Sequence, residues 1–179
     1  MKTKPSTEYA LLGALMAGAK HGYEIMQFIE TAMGHTWYVG ASQLYVLLKK
    51  LEQDGFLRSS METQGTRPPK RVFSLRQAGK KSFLDWLHSP TQHVRDLRIE
   101  FLAKLFFFNR LSLKGGRDLV LAQIQVLEQT KERIEQRQEN EKDPFNRLVF
   151  GFKIATVEAW LQWLIKQAKP FIKEVQDNG

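Results

Sequence analysis

The sequence predicts a mainly α-helical chain with one small β-hairpin: a helical amino-terminal domain carrying the hairpin, then an all-helical carboxy-terminal domain. Three observations predict it. Apolar residues recur at helical spacing through residues 11–33 and 44–51. Between 57 and 75 the pattern changes to alternation on either side of a Gly/Pro-rich turn. Beyond Ser89-Pro90 every long segment returns to helical spacing and ends in a seam stepping alternately by four and three.

Pro5-Ser6-Thr7-Glu8 reads as a helix start, with small polar capping residues and an acid in the first turn. Leu11, Leu12, Leu15 and Met16 form its buried face, and Gly18 and Gly22 bracket a turn. A second helix runs from His21 to about Met33 with Ile25, Phe28 and Ile29 inward. Ser42 can cap a third helix whose apolar stripe is Leu44, Leu47, Leu48 and Leu51, and Gly55 ends it. Leu57, Ser59 and Met61 then alternate with Arg58, Ser60 and Glu62 as in a half-buried strand. Gln64 to Pro69 is expected to be neither strand nor helix, because Gly65 and Pro68-Pro69 break both. Val72 to Leu75 is the return strand, and Gln77 to His88 a fourth helix.

Ser89-Pro90 sets the expected boundary between domains 1–90 and 91–179. Leu97 to Phe108 is helical, Gly115-Gly116 breaks the chain, and a long helix reaches about Glu141. After Asp143-Pro144 the last helix carries the seam Phe150, Ile154, Val157, Leu161, Leu164, Ala168, Phe171 and Val175, kinked or ended by Pro170. A seam of that length asks for another helix along it. A second copy of the chain and a hairpin within one copy both satisfy it.

Composition bounds the partners. Net charge is +8, from 27 Lys and Arg against 19 Asp and Glu, and residues 1–90 are the more basic half at net +5. That favours anionic partners without naming one. There is no cysteine, hence no disulfide and no thiolate metal site or nucleophile, as in a cytoplasmic protein. The first residues read as a helix rather than a leader, because Glu8 interrupts the apolar run. No run of consecutive apolar residues approaches the roughly 18 of a membrane span, so no membrane partner is expected. His21, His35, His88 and His93 show no metal spacing. No nucleophile triad, phosphate loop or paired carboxylate stands out, so neither enzyme activity nor a cofactor is expected.

The order helix, turn, helix, basic hairpin is that of a winged helix-turn-helix, in which the third helix enters the DNA major groove. Ser42 and Gln43 stand at that helix's start, where base edges are read, and Gln can pair bidentately with adenine. Tyr45 can reach a phosphate, and Lys49 and Lys50 lie one turn on. By itself the helix also fits a capped surface helix with solvated lysines. The hairpin adds Thr66, Arg67, Lys70 and Arg71 around its tip as candidate phosphate contacts.

Several short stretches resemble one family of regulators. They are Leu12-Gly13, His21-Gly22-Tyr23-Glu24-Ile25, Gln43-Leu44-Tyr45, Leu51-Glu52-Gln53-Asp54-Gly55, Arg71-Val72-Phe73-Ser74-Leu75, Ala78-Gly79 and Trp86-Leu87. Together they resemble the PadR family of winged-helix transcriptional regulators over residues 10–89. Residues 98–105, RIEFLAKL, look like the opening of the longer carboxy-terminal domain found in its phenolic-acid-responsive repressors and related virulence activators. Two positions depart from the family: Val46 stands where proline is usual, and Phe73 where tyrosine is usual. The resemblance implies a homodimer joined through its carboxy-terminal helices on an inverted-repeat operator in double-stranded DNA. The apolar seam read from spacing agrees, and makes Phe150, Ile154, Val157, Leu161, Leu164 and Ala168 the expected dimer contact. Trp160, Trp163 and Phe101, among the aromatic residues of that half, form a candidate pocket for a small aromatic effector of the kind the phenolic-acid branch implies, although such side chains more often serve as core or dimer contact. A winged-helix module for protein partners, and a small-molecule binding protein without specific DNA binding, are the alternative readings.

Overall fold

The computed structural model describes residues 6–34, 39–64 and 67–177. Pro5, Gly65 and Thr66 lie outside them, and Gln64, Arg67 and Val175 are described by backbone alone. The chain divides into two units: residues 1–87 with 98–107, and residues 88–97 with 108–179. Residues 98–107, which sequence places beyond the boundary, therefore pack in the first unit. The cause is their apolar stripe. Phe101 and Phe107 have no exposed surface, and Phe107 meets Phe83 edge to face at 5.2 Å.

In the first unit, α1 (Ser6–Ala14), α2 (Gly22–Met33) and α3 (Ala41–Gln53) precede strands β2 (Leu57–Gln64) and β3 (Arg67–Leu75) and helix α4 (Gln77–His88). A two-residue strand β1 (Lys20–His21) pairs with β3 at Phe73 and Val72, giving an antiparallel sheet of order β1-β3-β2. Ala10, Leu11, Leu12 and Ala14 of α1 are buried, as is Leu15 just beyond it. Leu44, Leu48 and Leu51 of α3 are completely covered, each contributing roughly 1.5–3 kcal/mol. Helix α3 begins two residues before the sequence-based start. Gly40 is its N-cap, and Ser42 sits inside the first turn. Gly55, at φ 78, ends it in the left-handed region that only glycine enters without strain.

The hairpin is longer than expected. Strand β3 starts at Arg67, so Pro68 and Pro69 are strand residues, with Gln64 opposite Arg67 and Glu62 opposite Lys70. Prolines are tolerated there because β1 covers β3 only at Val72 and Phe73, leaving the other edge of the tip open. The register shifts between Glu62 and Gln64. Alternation fades toward the tip: Leu57 is buried, but Met61 is 63% exposed.

A charged group also enters this core. Lys104 is 1% exposed, with its ammonium 2.7 Å from Glu100 and 5.0 Å from the centre of the Trp86 ring. Tyr9 stacks on the same indole at 4.8 Å. Burial lowers the Lys104 pKa from the ordinary lysine value, opposed by the bond to Glu100.

Helix α5 (Leu102–Arg110) begins in the first unit and ends in the second. The second unit is built on a helical hairpin, α6 (Gly116–Glu139) packed along α7 (Pro144–Trp163), continued by α8 (Lys169–Asp177). Asp143 caps α7 by accepting from the Asn146 amide at 2.8 Å, with Pro144 in the first turn. Pro170 does not end the last helix. A wider π-type turn at Leu164–Ala168 precedes it and accommodates its ring, and helix resumes at Lys169. Thr91 and Gln123 are buried and bond reciprocally, amide to side chain at 2.6 Å and side chain to carbonyl at 2.9 Å. Lys131 of α6 reaches Glu158 of α7 at 2.6 Å.

Residues 144–173 form a helix long and apolar enough, by length and composition, to cross a membrane. Counting consecutive apolar residues missed this because Arg147, Lys153 and Glu158 interrupt a segment whose average is apolar. Its apolar residues occupy two faces. Val157, Leu164 and Ala168 are buried with Leu119, Val120 and Leu127 of α6, while Phe145, Leu148 and Phe152 stay 69%, 69% and 72% exposed.

Candidate nucleic-acid interface

The exposed face of α3 carries Ser42, Gln43, Tyr45, Val46, Lys49 and Lys50 in one arc opposite the leucine stripe. Because Gly40 takes the capping position, the Ser42 side chain is not spent on the helix end. Tyr45 is 51% exposed and leans over Gly22 at the start of α2. A Cβ on Gly22 would stand 2.7 Å from the tyrosine ring and 2.8 Å from its hydroxyl, so glycine lets the ring lie there. Glu24 holds that corner by accepting from the His21 amide at 2.6 Å.

The two lysines of α3 differ. Lys49 is exposed and has no ion pair among the described residues. Lys50 donates to Glu8 of α1 at 2.5 Å, and Glu8 is completely buried. The other carboxylate oxygen, Oε2, has no hydrogen-bond partner among the described residues, so Lys50 supplies the counter-charge Glu8 needs. The bond to Glu8 raises the Lys50 pKa. Lys50 therefore ties α3 to α1 and is not a free cation.

Arg71 is similarly engaged. Its Nη2 lies 2.5 Å from Glu52 of α3, and its Nε donates to the Ser59 hydroxyl at 2.9 Å. Ser59 donates to the other Glu52 oxygen at 2.5 Å, closing a ring of three side chains between wing and helix. The guanidinium also stands 5.3 Å from the centre of the Phe73 ring. Lys70 is exposed without an ion pair among the described residues, and Arg67 is placed beside Gln64 by its backbone. His21 approaches Glu62 at 3.6 Å. Sequence reasoning missed Glu8, Glu52 and Ser59 because acidic and hydroxyl side chains carry no pattern that announces burial or a cross-element partner.

The remaining candidates fall in different units. Phe101 is enclosed in the core of the first. Trp160 and Trp163 of the second are half-buried and meet edge to face at 5.6 Å. A cavity of about 550 Å³ in the second unit is lined by Arg133, Gln136, Arg137, Asn140, Glu141 and Phe150, not by these tryptophans. Of the seam residues, Phe150, Ile154 and Leu161 are half-buried, and Val157, Leu164 and Ala168 are buried within one copy. Among the described residues no three His, Asp or Glu side chains could hold a metal ion.

Comparison with known proteins gives this geometry its context. Residues 11–85 match the family model described as the transcriptional regulator PadR-like family, and residues 97–169 match the virulence activator alpha C-terminal model. The chain is 36% identical over 121 residues to the negative transcriptional regulator PadR of Bacillus subtilis, covering 66% of this chain and 65% of that one. A probable transcriptional regulator of Mycobacterium tuberculosis is 26% identical over 87 residues, 49% of this chain and 46% of that one. The chain thus spans just under two thirds of the first relative and about half of the second. The crystal structure of Bacillus subtilis PadR in complex with operator DNA is 26% identical, covering 93% of this chain and 99% of that one at a TM-score of 0.49. Both relatives are named as regulators, not enzymes. Over residues 11–85 the chain carries a domain of the PadR-like family of transcriptional regulators.

Proposed function

We propose that the chain is a cytoplasmic, homodimeric, sequence-specific DNA-binding regulator that places two copies of α3 in successive major grooves of an inverted repeat. The observation that carries this reading is the division of α3. Leu44, Leu48 and Leu51 are fully covered, while the opposite arc exposes base-reading and phosphate-seeking side chains without burying any of them. Ser42 and Gln43 read bases, Tyr45 and Lys49 contact the backbone, and Lys70 with Arg67 and Thr66 of the wing grips phosphate. The match of residues 11–85 to the PadR-like family of transcriptional regulators supports the same reading.

The second copy packs on the back of α7. The chain's own α6 occupies most of the seam, which leaves Phe145, Leu148 and Phe152 as an apolar stripe exposed along one face of α7. Phe150, Ile154 and Leu161 flank the contact. A soluble dimer covering this stripe accounts for the apolar helix without a membrane. For a small aromatic effector, the Trp160–Trp163 pair offers partly open aromatic surface, whereas Phe101 offers none. Binding-site selection on random duplexes tests the whole reading. It should return an inverted repeat with half-sites about one helical turn apart. Enrichment of no sequence would leave the winged-helix domain as a protein-interaction module.

A further inference from the structure

We infer that Val46 is a base-reading residue and that its target is the 5-methyl group of a thymine in each half-site. The inference rests on α3 being the reading helix, as proposed above, and adds an apolar letter to what that helix recognises.

Position comes first. At about 100° per residue, Val46 projects nearly opposite the centre of the stripe Leu44, Leu48 and Leu51. It is the middle of the exposed arc, with Ser42 and Gln43 one turn before it and Lys49 and Lys50 one turn after. A helix docked by that arc brings its central residue closest to the groove floor.

Chemistry comes second. Val46 is 67% exposed, while every neighbour on the arc is polar or carries a hydroxyl. The isopropyl group can neither donate nor accept a hydrogen bond, so phosphate and most base edges offer it nothing. The major groove presents one apolar group, the thymine methyl, which apolar side chains contact. A β-branched residue also suits such a contact, because its side chain has one strongly preferred χ1 rotamer in a helix and its methyl groups therefore lie in a fixed place. Gln43 lies one turn away on the same side, and glutamine pairs bidentately with adenine. Together they read adjacent A·T pairs, one by hydrogen bonds and one by methyl contact.

The test uses the full-length chain and the duplex that binding-site selection returns. Each thymine of the half-site is replaced in turn by deoxyuridine, which removes the methyl group and leaves base pairing intact. Wild type should lose about fourfold in affinity when that thymine is changed in one half-site, the worth of one buried methyl-sized group, and roughly sixteenfold when both half-sites are changed. Val46→Ala should bind the thymine and deoxyuridine duplexes equally, with an unchanged circular dichroism spectrum. Wild type indifferent to every replacement, or Val46→Ala still sensitive at that thymine, overturns the inference and leaves DNA reading by α3 standing. Selection that enriches no duplex overturns both.

Discussion

Arg71 of the wing and Glu52 of α3 stand 2.5 Å apart, with Ser59 bonded to both. The pair is partly solvated, with side chains 49% and 27% exposed, so its worth lies in geometry more than in stability. In the proposed complex the wing and α3 meet one duplex at once, and this pair would set the angle between them. This gives Glu52→Gln opposite expectations. Removing a negative charge near DNA should tighten binding through electrostatics alone. Release of Arg71 should instead weaken operator binding, by up to about tenfold for one charge-assisted hydrogen bond. Fluorescence anisotropy at fixed salt decides, and tighter binding would dismiss the positioning role.

Lys70 neighbours Arg71 in sequence but has no ion pair among the described residues, and it pairs across the hairpin with Glu62. It is the free cation of the two. Lys70→Ala should weaken binding to all sequences alike and reduce the slope of log affinity against log salt by about 0.9, one phosphate contact. Titrations at several salt concentrations give that slope. An unchanged slope would remove Lys70 from the DNA contact.

The last long helix invites two substitutions with different outcomes. Leu164 is fully covered within one copy, so Leu164→Glu buries a charge in the hairpin core and should abolish folding of the second unit. Leu148 and Phe152 are 69% and 72% exposed on the other face, so Leu148→Glu with Phe152→Glu should leave helix content intact. That double variant should be a folded monomer by light scattering. A folded dimer would move the contact elsewhere.

Much of this architecture is readable from spacing. The leucines of α3, the alternation after Leu57 and the helical steps beyond Pro144 report burial directly, since period follows geometry. Local competition defeats finer readings. Ser42 is a good cap, but Gly40 takes that place and starts the helix earlier. Pro68 and Pro69 break interior strands, yet here one edge is open. The seam from Phe150 onward is visible in the sequence, but a heptad step cannot say whether its partner is α6 or a second chain. Glu8, Lys104 and Glu52 are the least readable: each is charged, and each owes its place to a partner far away in sequence or to an aromatic face.

Lys104 and Lys50 should give stability opposite responses to alkali. Burial, the largest influence on Lys104, lowers its pKa. Between that lowered value and the ordinary 10.5, the unfolded chain binds the extra proton, so stability from this group rises with pH. Lys50 has its pKa raised, first by its bond to Glu8. Its contribution is complete below 10.5 and is lost as pH climbs through the folded value. Urea unfolding of wild type, Lys104→Met and Lys50→Met from pH 8 to 11 separates them. Wild type should gain on Lys104→Met as pH approaches 10.5. Lys50→Met should be the less stable variant at pH 8, because Glu8 is left buried and unpaired, and wild type should lose that advantage above 10.5. A pH-independent gap between wild type and Lys104→Met would mean that Lys104 is well enough solvated or paired to keep its ordinary affinity for the proton.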